Sequence, residues 1–193
     1  MYRSFDLRDI APMPWKNGGG MTQEIVSWPP GAGMDDFQWR ISVASISADG
    51  PFSVFPGIDR IILLLEGSGV RLSSPDQGLD HRLDQRCRPL HFSGDHACEC
   101  TLLGGDSRDF NVMARRDAVA ADVQVFADTA TASGCAGLLF AAAGTWSLHT
   151  GRHSTLGSQA GICWAGESLT WTATPLDAEA RLVAVAIRPR SAV

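Results

Sequence analysis

A chain of 193 residues with 16 lysines and arginines against 21 aspartates and glutamates carries a formal net charge of −5. That balance excludes a general nucleic-acid binder, which needs a basic excess to neutralise phosphates. Hydrophobic residues at 45% and charged residues at 19% supply a core and exclude a wholly disordered chain, while 20 glycines and 10 prolines favour short strands and turns over long helices.

In chain order, Met1 to Asp6 hold no apolar run of signal type, which predicts a cytoplasmic protein. A short helical turn is expected near Ser4–Ile10, with Ser4 as its cap. Met21 to Trp28 alternates as a strand does and stops at Pro29-Pro30-Gly31. Gln38 to Ile46 reads as a strand with Trp39, Ile41 and Val43 on one face and Arg40, Ser42, Ala44 and Ile46 on the other. Arg60 to Glu66 is apolar between charged ends and turns through Gly67-Ser68-Gly69 into Val70–Leu72. Ala97–Leu103 and Phe110–Arg115 flank a second turn, Gly104-Gly105-Asp106-Ser107. No apolar run approaches the ~20 residues of a membrane-spanning helix, so no membrane partner is expected.

The second half repeats the style of the first. Arg88 to Gly94 resembles Glu167 to Ala173, and each leads into a strand that ends in arginine, Arg108–Arg116 and Arg181–Arg190. Gly137–Thr150 answers Ile58–Leu72, which suggests two copies of one β unit about 75 to 80 residues apart. The expected domains are 1–118 and 119–193. Residues 1–30 are available to add strands to the shorter second unit, and closing both units into barrels would remove exposed sheet edges.

The five cysteines, Cys87, Cys98, Cys100, Cys135 and Cys163, form no CxxC pair. In a cytoplasmic protein they read as reduced thiols, several of them small core residues. His91, His96, Cys98 and Cys100 lie close in sequence, but their spacing matches no standard zinc pattern.

Three blocks carry a more specific message: Pro14-Trp15-Lys16-Asn17-Gly18-Gly19-Gly20-Met21-Thr22-Gln23-Glu24-Ile25, then Gly50-Pro51-Phe52-Ser53-Val54-Phe55-Pro56-Gly57-Ile58-Asp59-Arg60 with Leu64-Leu65-Glu66-Gly67, then Gly104-Gly105-Asp106-Ser107-Arg108-Asp109-Phe110-Asn111-Val112-Met113. In order and spacing they resemble the HutD/Ves family of bacterial bicupins. The resemblance implies an all-β chain of two packed antiparallel cupin barrels with little helix, a cytoplasmic location and a link to histidine utilisation. For HutD-type members it implies regulation through sensing of a pathway intermediate; for Ves-type members, a looser association with stress responses.

The residues themselves narrow the chemistry. A metal-dependent cupin draws histidine ligands from its central strands, but Phe55 to Gly69 contains none, and His149 and His153 flank a turn at Gly151. No metal and no cofactor are therefore expected. Lys16, the only lysine, stands with Asn17 before three glycines, where backbone N–H groups can approach an anion; a plain tight turn is the competing reading. Arg60 opens an apolar strand, so its charge needs a partner: a ligand carboxylate, or Asp59, Glu66 or a turn carbonyl. Arg40 shares a face with Ser42 and Ala44, small residues that leave room: it lines a cavity or, the more frequent case, lies on an exposed sheet face. Arg108, Asp109 and Asn111 surround Phe110: either Asp109 orients an arginine and Asn111 offers both donor and acceptor, or Asp and Asn side chains stabilise a turn-to-strand transition.

The candidate ligand contacts are thus Lys16, Asn17, Arg40, Arg60, Arg108 and Asn111, with no catalytic residue assigned. The leading expectation is a non-catalytic protein that binds a small anionic metabolite, by resemblance N-formylglutamate or urocanate; a homodimer is compatible with it. The alternatives are a metal-independent enzyme using Glu24 or Asp109 as acid or base, and a stress-related interaction module.

Overall fold

Period-two alternation broken by glycine and proline produces a chain of strands, and the computed structural model, which describes residues 2–75 and 78–190, bears that out. The strands are β1 (Tyr2–Asp6), β2 (Met13–Pro14), β3 (Gly20–Trp28), β4 (Trp39–Ile46), β5 (Gly50–Phe52), β6 (Ile58–Glu66), β7 (Val70–Ser74), β8 (Leu79–Leu83) and β9 (Leu90–Ser93). They continue with β10 (Cys98–Leu102), β11 (Ser107–Arg115), β12 (Val119–Phe126), β13 (Ala130–Ala143), β14 (Trp146–His149), β15 (His153–Leu156), β16 (Ala160–Pro175) and β17 (Arg181–Pro189). Among the described residues there is no α-helix. The expected helical turn is a 3-10 turn at Leu7–Asp9, and its cap is Asp6, which accepts from the Arg8 backbone N–H at 2.9 Å; Ser4 lies within β1 instead.

The chain divides into two compact units, Ala11–Val119 and Met1–Ile10 with Ala120–Val193. In the first unit, a six-stranded antiparallel sheet runs β2-β3-β4-β11-β6-β9, and a four-stranded one runs β5-β10-β7-β8. Ile46, Ile62 and Leu64 of the larger sheet pack with Phe52, Val70, Leu72, Leu83, Cys98 and Cys100 of the smaller. Cys98 and Cys100 are thus core residues between two sheets. The connection from β6 to β7 passes from one sheet to the other, as does that from β10 to β11. This is a jelly-roll arrangement; the expectation of closed barrels is corrected to open, facing sheets.

The second unit is one seven-stranded sheet, ordered β12-β17-β13-β16-β14-β15, with β1 paired to β16. The 16-residue β16 pairs β13 through Gly161–Ala165 and again through Leu169–Ala173, with a register shift between. Such bulges bend long strands. The sheet wraps a core of Leu139, Trp146, Leu148, Ile162, Trp164, Trp171 and Leu182. Of the first thirty residues, β1 belongs to this unit, with Phe5 stacked on Phe140 at 6.3 Å, whereas β2 and β3 pair within the first unit. His149 and His153 face each other across the β14–β15 hairpin, rings 4.5 Å apart and exposed.

Candidate ligand-binding cavity

The strand registers of the first unit gather one set of side chains on a common face. Asp109 of β11 lies between Ala44 of β4 and Leu64 of β6, Asn111 between Ser42 and Ile62, and Met113 between Arg40 and Arg60. Alternation guarantees that these point the same way. Ser42 and Ala44 are short, so space remains above them. It forms a cavity of about 520 Å³, within the range of small-molecule sites. Its buried floor is Arg40, Ser42, Ala44, Arg60, Asp109, Asn111 and Met113. Its rim is exposed: Met13, Pro14, Lys16, Asn17, Met34, Pro51 and Ser53.

Arg60 is one of two buried cations of this floor. Its guanidinium lies over the rings of Phe52 at 5.1 Å, Phe92 at 5.1 Å and Phe55 at 5.6 Å. Its Nη2 donates to Asn111 Oδ1 at 3.2 Å, and its Nε is buried without a partner. The partners considered from sequence are corrected. Asp59 is bound by Arg116 at 2.7 Å, and Glu66 by Arg108 at 3.3 Å. Glu66 lies six residues along the strand from Arg60, about 20 Å at the usual rise, beyond the reach of an arginine. Asp109 is the buried carboxyl of the same floor. Only 3% exposed, it leaves Oδ1 sealed from solvent with no partner. Burial pushes its carboxyl up to about 7, and the nearby Arg60 charge draws it back down. Burial likewise pulls Arg60 down to about 10, so it remains charged at neutral pH.

Arg40 is a different case. Its Nε donates to Glu24 Oε2 at 2.6 Å and its Nη1 approaches Met113 Sδ at 3.9 Å, so its charge is already balanced. Glu24 serves Arg40 and is not among the residues lining the cavity. Arg108 lies apart from the cavity lining, on Glu66 and Gln23. Lys16, Asn17, Arg40, Arg60 and Asn111 are therefore brought together, and Arg108 is not. Sequence reasoning did not place Trp15, Thr22, Phe52 and Phe55 in the lining. The Gly50–Arg60 block was the available signal, since both phenylalanines fall within it.

The three glycines after Asn17 serve the turn. Trp15 N–H donates to Gly20 O at 2.9 Å, Gly18 N–H to Trp15 O at 3.0 Å, and Gly19 N–H to Asn17 Oδ1 at 3.1 Å. Gly18 has φ +75°, open to glycine without strain. A Cβ on Gly20 would run into the Ser45 carbonyl and the Trp15 ring. None of the three lines the cavity, so the expected backbone cradle for an anion is corrected to a tight turn that sets Lys16 and Asn17 on the rim. Gly20→Ala is expected to cost about 1–3 kcal/mol through overpacking, read as a lower urea midpoint at unchanged slope; an unchanged midpoint would contradict the close approach.

Among the described residues, no group of three or more His, Cys, Asp and Glu side chains is arranged to hold a metal ion, and no helix is long and apolar enough to cross a membrane.

The fold and this floor define a two-unit antiparallel β protein with two arginines and a carboxyl buried under a cavity whose rim is part apolar and part polar. The HutD family model matches residues 7–184, and the chain belongs to that family. It is 41% identical over 162 residues to Protein Ves of Citrobacter koseri, covering 83% of this chain and 81% of that one. The structure of HutD from Pseudomonas fluorescens SBW25, in a formate condition, superposes with TM-score 0.85 at 29% identity, over 99% of this chain and 100% of that one. A cupin 2 conserved barrel domain protein from Leptotrichia buccalis superposes with TM-score 0.61 at 8% identity, over 96% of each chain, a likeness of fold alone.

Proposed function

We propose that this protein is a small-carboxylate-binding regulatory protein of histidine utilisation that acts in the cytoplasm on a pathway intermediate such as N-formylglutamate or urocanate. The observation that carries the reading is Arg60: a buried guanidinium with an unpartnered Nε on the floor of a cavity. An arginine in such a place binds a carboxylate strongly, because neither group competes with bulk water. Lys16 and Asn17 on the rim offer a second polar contact to an acid with two ends. Membership of the HutD family supports the link to histidine utilisation. The net charge of −5 favours a metabolite over a nucleic acid as partner.

A thermal-shift screen tests it. A carboxylate at 100 times its dissociation constant stabilises the folded state by about 2.7 kcal/mol. N-formyl-L-glutamate or urocanate is expected to raise Tm without being consumed. No shift with either at millimolar concentration would overturn the reading. A metal-independent enzyme is a second reading, favoured by the carboxyl of Asp109 lying near 7 in a cavity; turnover of the bound acid, abolished by Asp109→Asn, would establish it instead.

A further inference from the structure

The cavity floor holds two unsatisfied groups of opposite kind. Arg60 Nε is a donor with nothing to donate to, and Asp109 Oδ1 an acceptor with nothing to accept from. Both groups line one cavity, so a carboxylate that satisfies the donor adds a second anionic carboxyl to the space that already holds Asp109. Two carboxylates confined together away from water oppose each other's ionisation, which favours a proton on one of them. We propose that the cavity takes up its carboxylate together with one proton from solvent, carried by Asp109, whose carboxyl then donates a hydrogen bond to the bound ligand. This rests on the carboxylate-binding reading above and adds its regulation: occupancy reports pH as well as metabolite.

The surroundings leave Asp109 as the titrating group. From β6 the charge facing it is Arg60, which stays cationic to about pH 9 because its own value is about 10. From β4 it is Arg40, bound to Glu24. From β10 Cys98 and Cys100 approach, both thiols pushed up by burial, Cys100 to about 12, so they stay neutral in the working range. Asp49 approaches Cys100 rather than the pair. Along β11 itself the neighbour on this face is Asn111, which does not titrate. Lys16 lies at the exposed rim.

The test is calorimetric titration of formate, N-formyl-L-glutamate and urocanate, all ionised across pH 6–9, into the full chain in HEPES and in Tris. The difference in heat between buffers counts protons. At pH 8 the expected result is uptake of about one proton per ligand, with affinity falling about tenfold per pH unit above 7.5. In Asp109→Asn, whose amide N–H replaces the carboxyl donor, uptake falls to zero and affinity becomes independent of pH. Saturable binding with no proton uptake and the same affinity at pH 6 and 9 would overturn the inference while leaving the carboxylate site intact. Proton uptake unchanged in Asp109→Asn would also overturn it. No binding of any of the three acids would overturn both.

Discussion

Replacing Arg60 by methionine is expected to weaken carboxylate binding by about 2–5 kcal/mol, the cost of deleting one partner of a desolvated charge pair. Methionine keeps an unbranched apolar stem among Phe52, Phe55 and Phe92, the rings that Arg60 lies over, so packing is largely preserved. It also removes the one positive charge that holds Asp109 down. The carboxyl then rises further and is neutral at pH 6.5, which spares the variant a buried lone anion. Arg60→Ala is the poorer probe because it adds an empty volume among three rings, and cavity formation carries its own cost. The readout is affinity for N-formyl-L-glutamate at pH 6.5, with the urea midpoint as control. Equal affinity in wild type and Arg60→Met would remove Arg60 from the site.

Asp109→Asn is expected to flatten the pH dependence of stability between pH 4 and 7 in the ligand-free protein. The folded-state carboxyl lies near 7, above its usual value of 3.8. A raised acid binds more protons folded than unfolded across that window, so stability is fully present below about pH 4 and is lost as pH rises towards 7. At 1.36 kcal/mol per pH unit, the upper limit of that loss is about 4 kcal/mol. Asparagine is isosteric and does not titrate, so it should be more stable than wild type at pH 8 and nearly equal to it at pH 4. Asp6 and Asp95 act in the opposite sense and elsewhere: held at about 2 by hydrogen bonds, chiefly from Arg8 and from the Gly57 backbone, they lose stability only below pH 4. Urea midpoints at pH 4.5, 6 and 8 give the slope. A wild-type stability that does not fall from pH 4.5 to 8, or a variant that tracks it, would contradict the burial of an ionisable Asp109.

Much of this floor was legible because strand alternation is a strict rule. Period two put Arg40 with Ser42 and Ala44, and Asp109 with Asn111, before any strand was paired. What it left open was lateral order. Only the pairing of β11 with both β4 and β6 brings Asn111 to Arg60 and sets Asp109 in the same cavity, and that register is set by contacts far apart in sequence. Arg108 follows from the same rule: alternation turns it away from Asp109 and Asn111, and it meets Glu66 at the strand end, outside the cavity lining. The glycines of the first block were ambiguous for another reason. Glycine serves a turn and an anion equally well, and only the Ser45 carbonyl packed against Gly20 decides between them. Closure is not legible at all, since strand count and turn spacing are alike for a closed barrel and for facing open sheets.

The carboxylate-binding claim is tested most directly by a crystal structure of the protein grown with N-formyl-L-glutamate at a concentration shown by titration to saturate it. The account predicts one ligand in the cavity of the first unit, a carboxylate oxygen within hydrogen-bond distance of Arg60 Nε, and Asp109 in contact with the bound acid. A saturating ligand seated away from Arg60, or held by Arg108 on the outer surface, would contradict it.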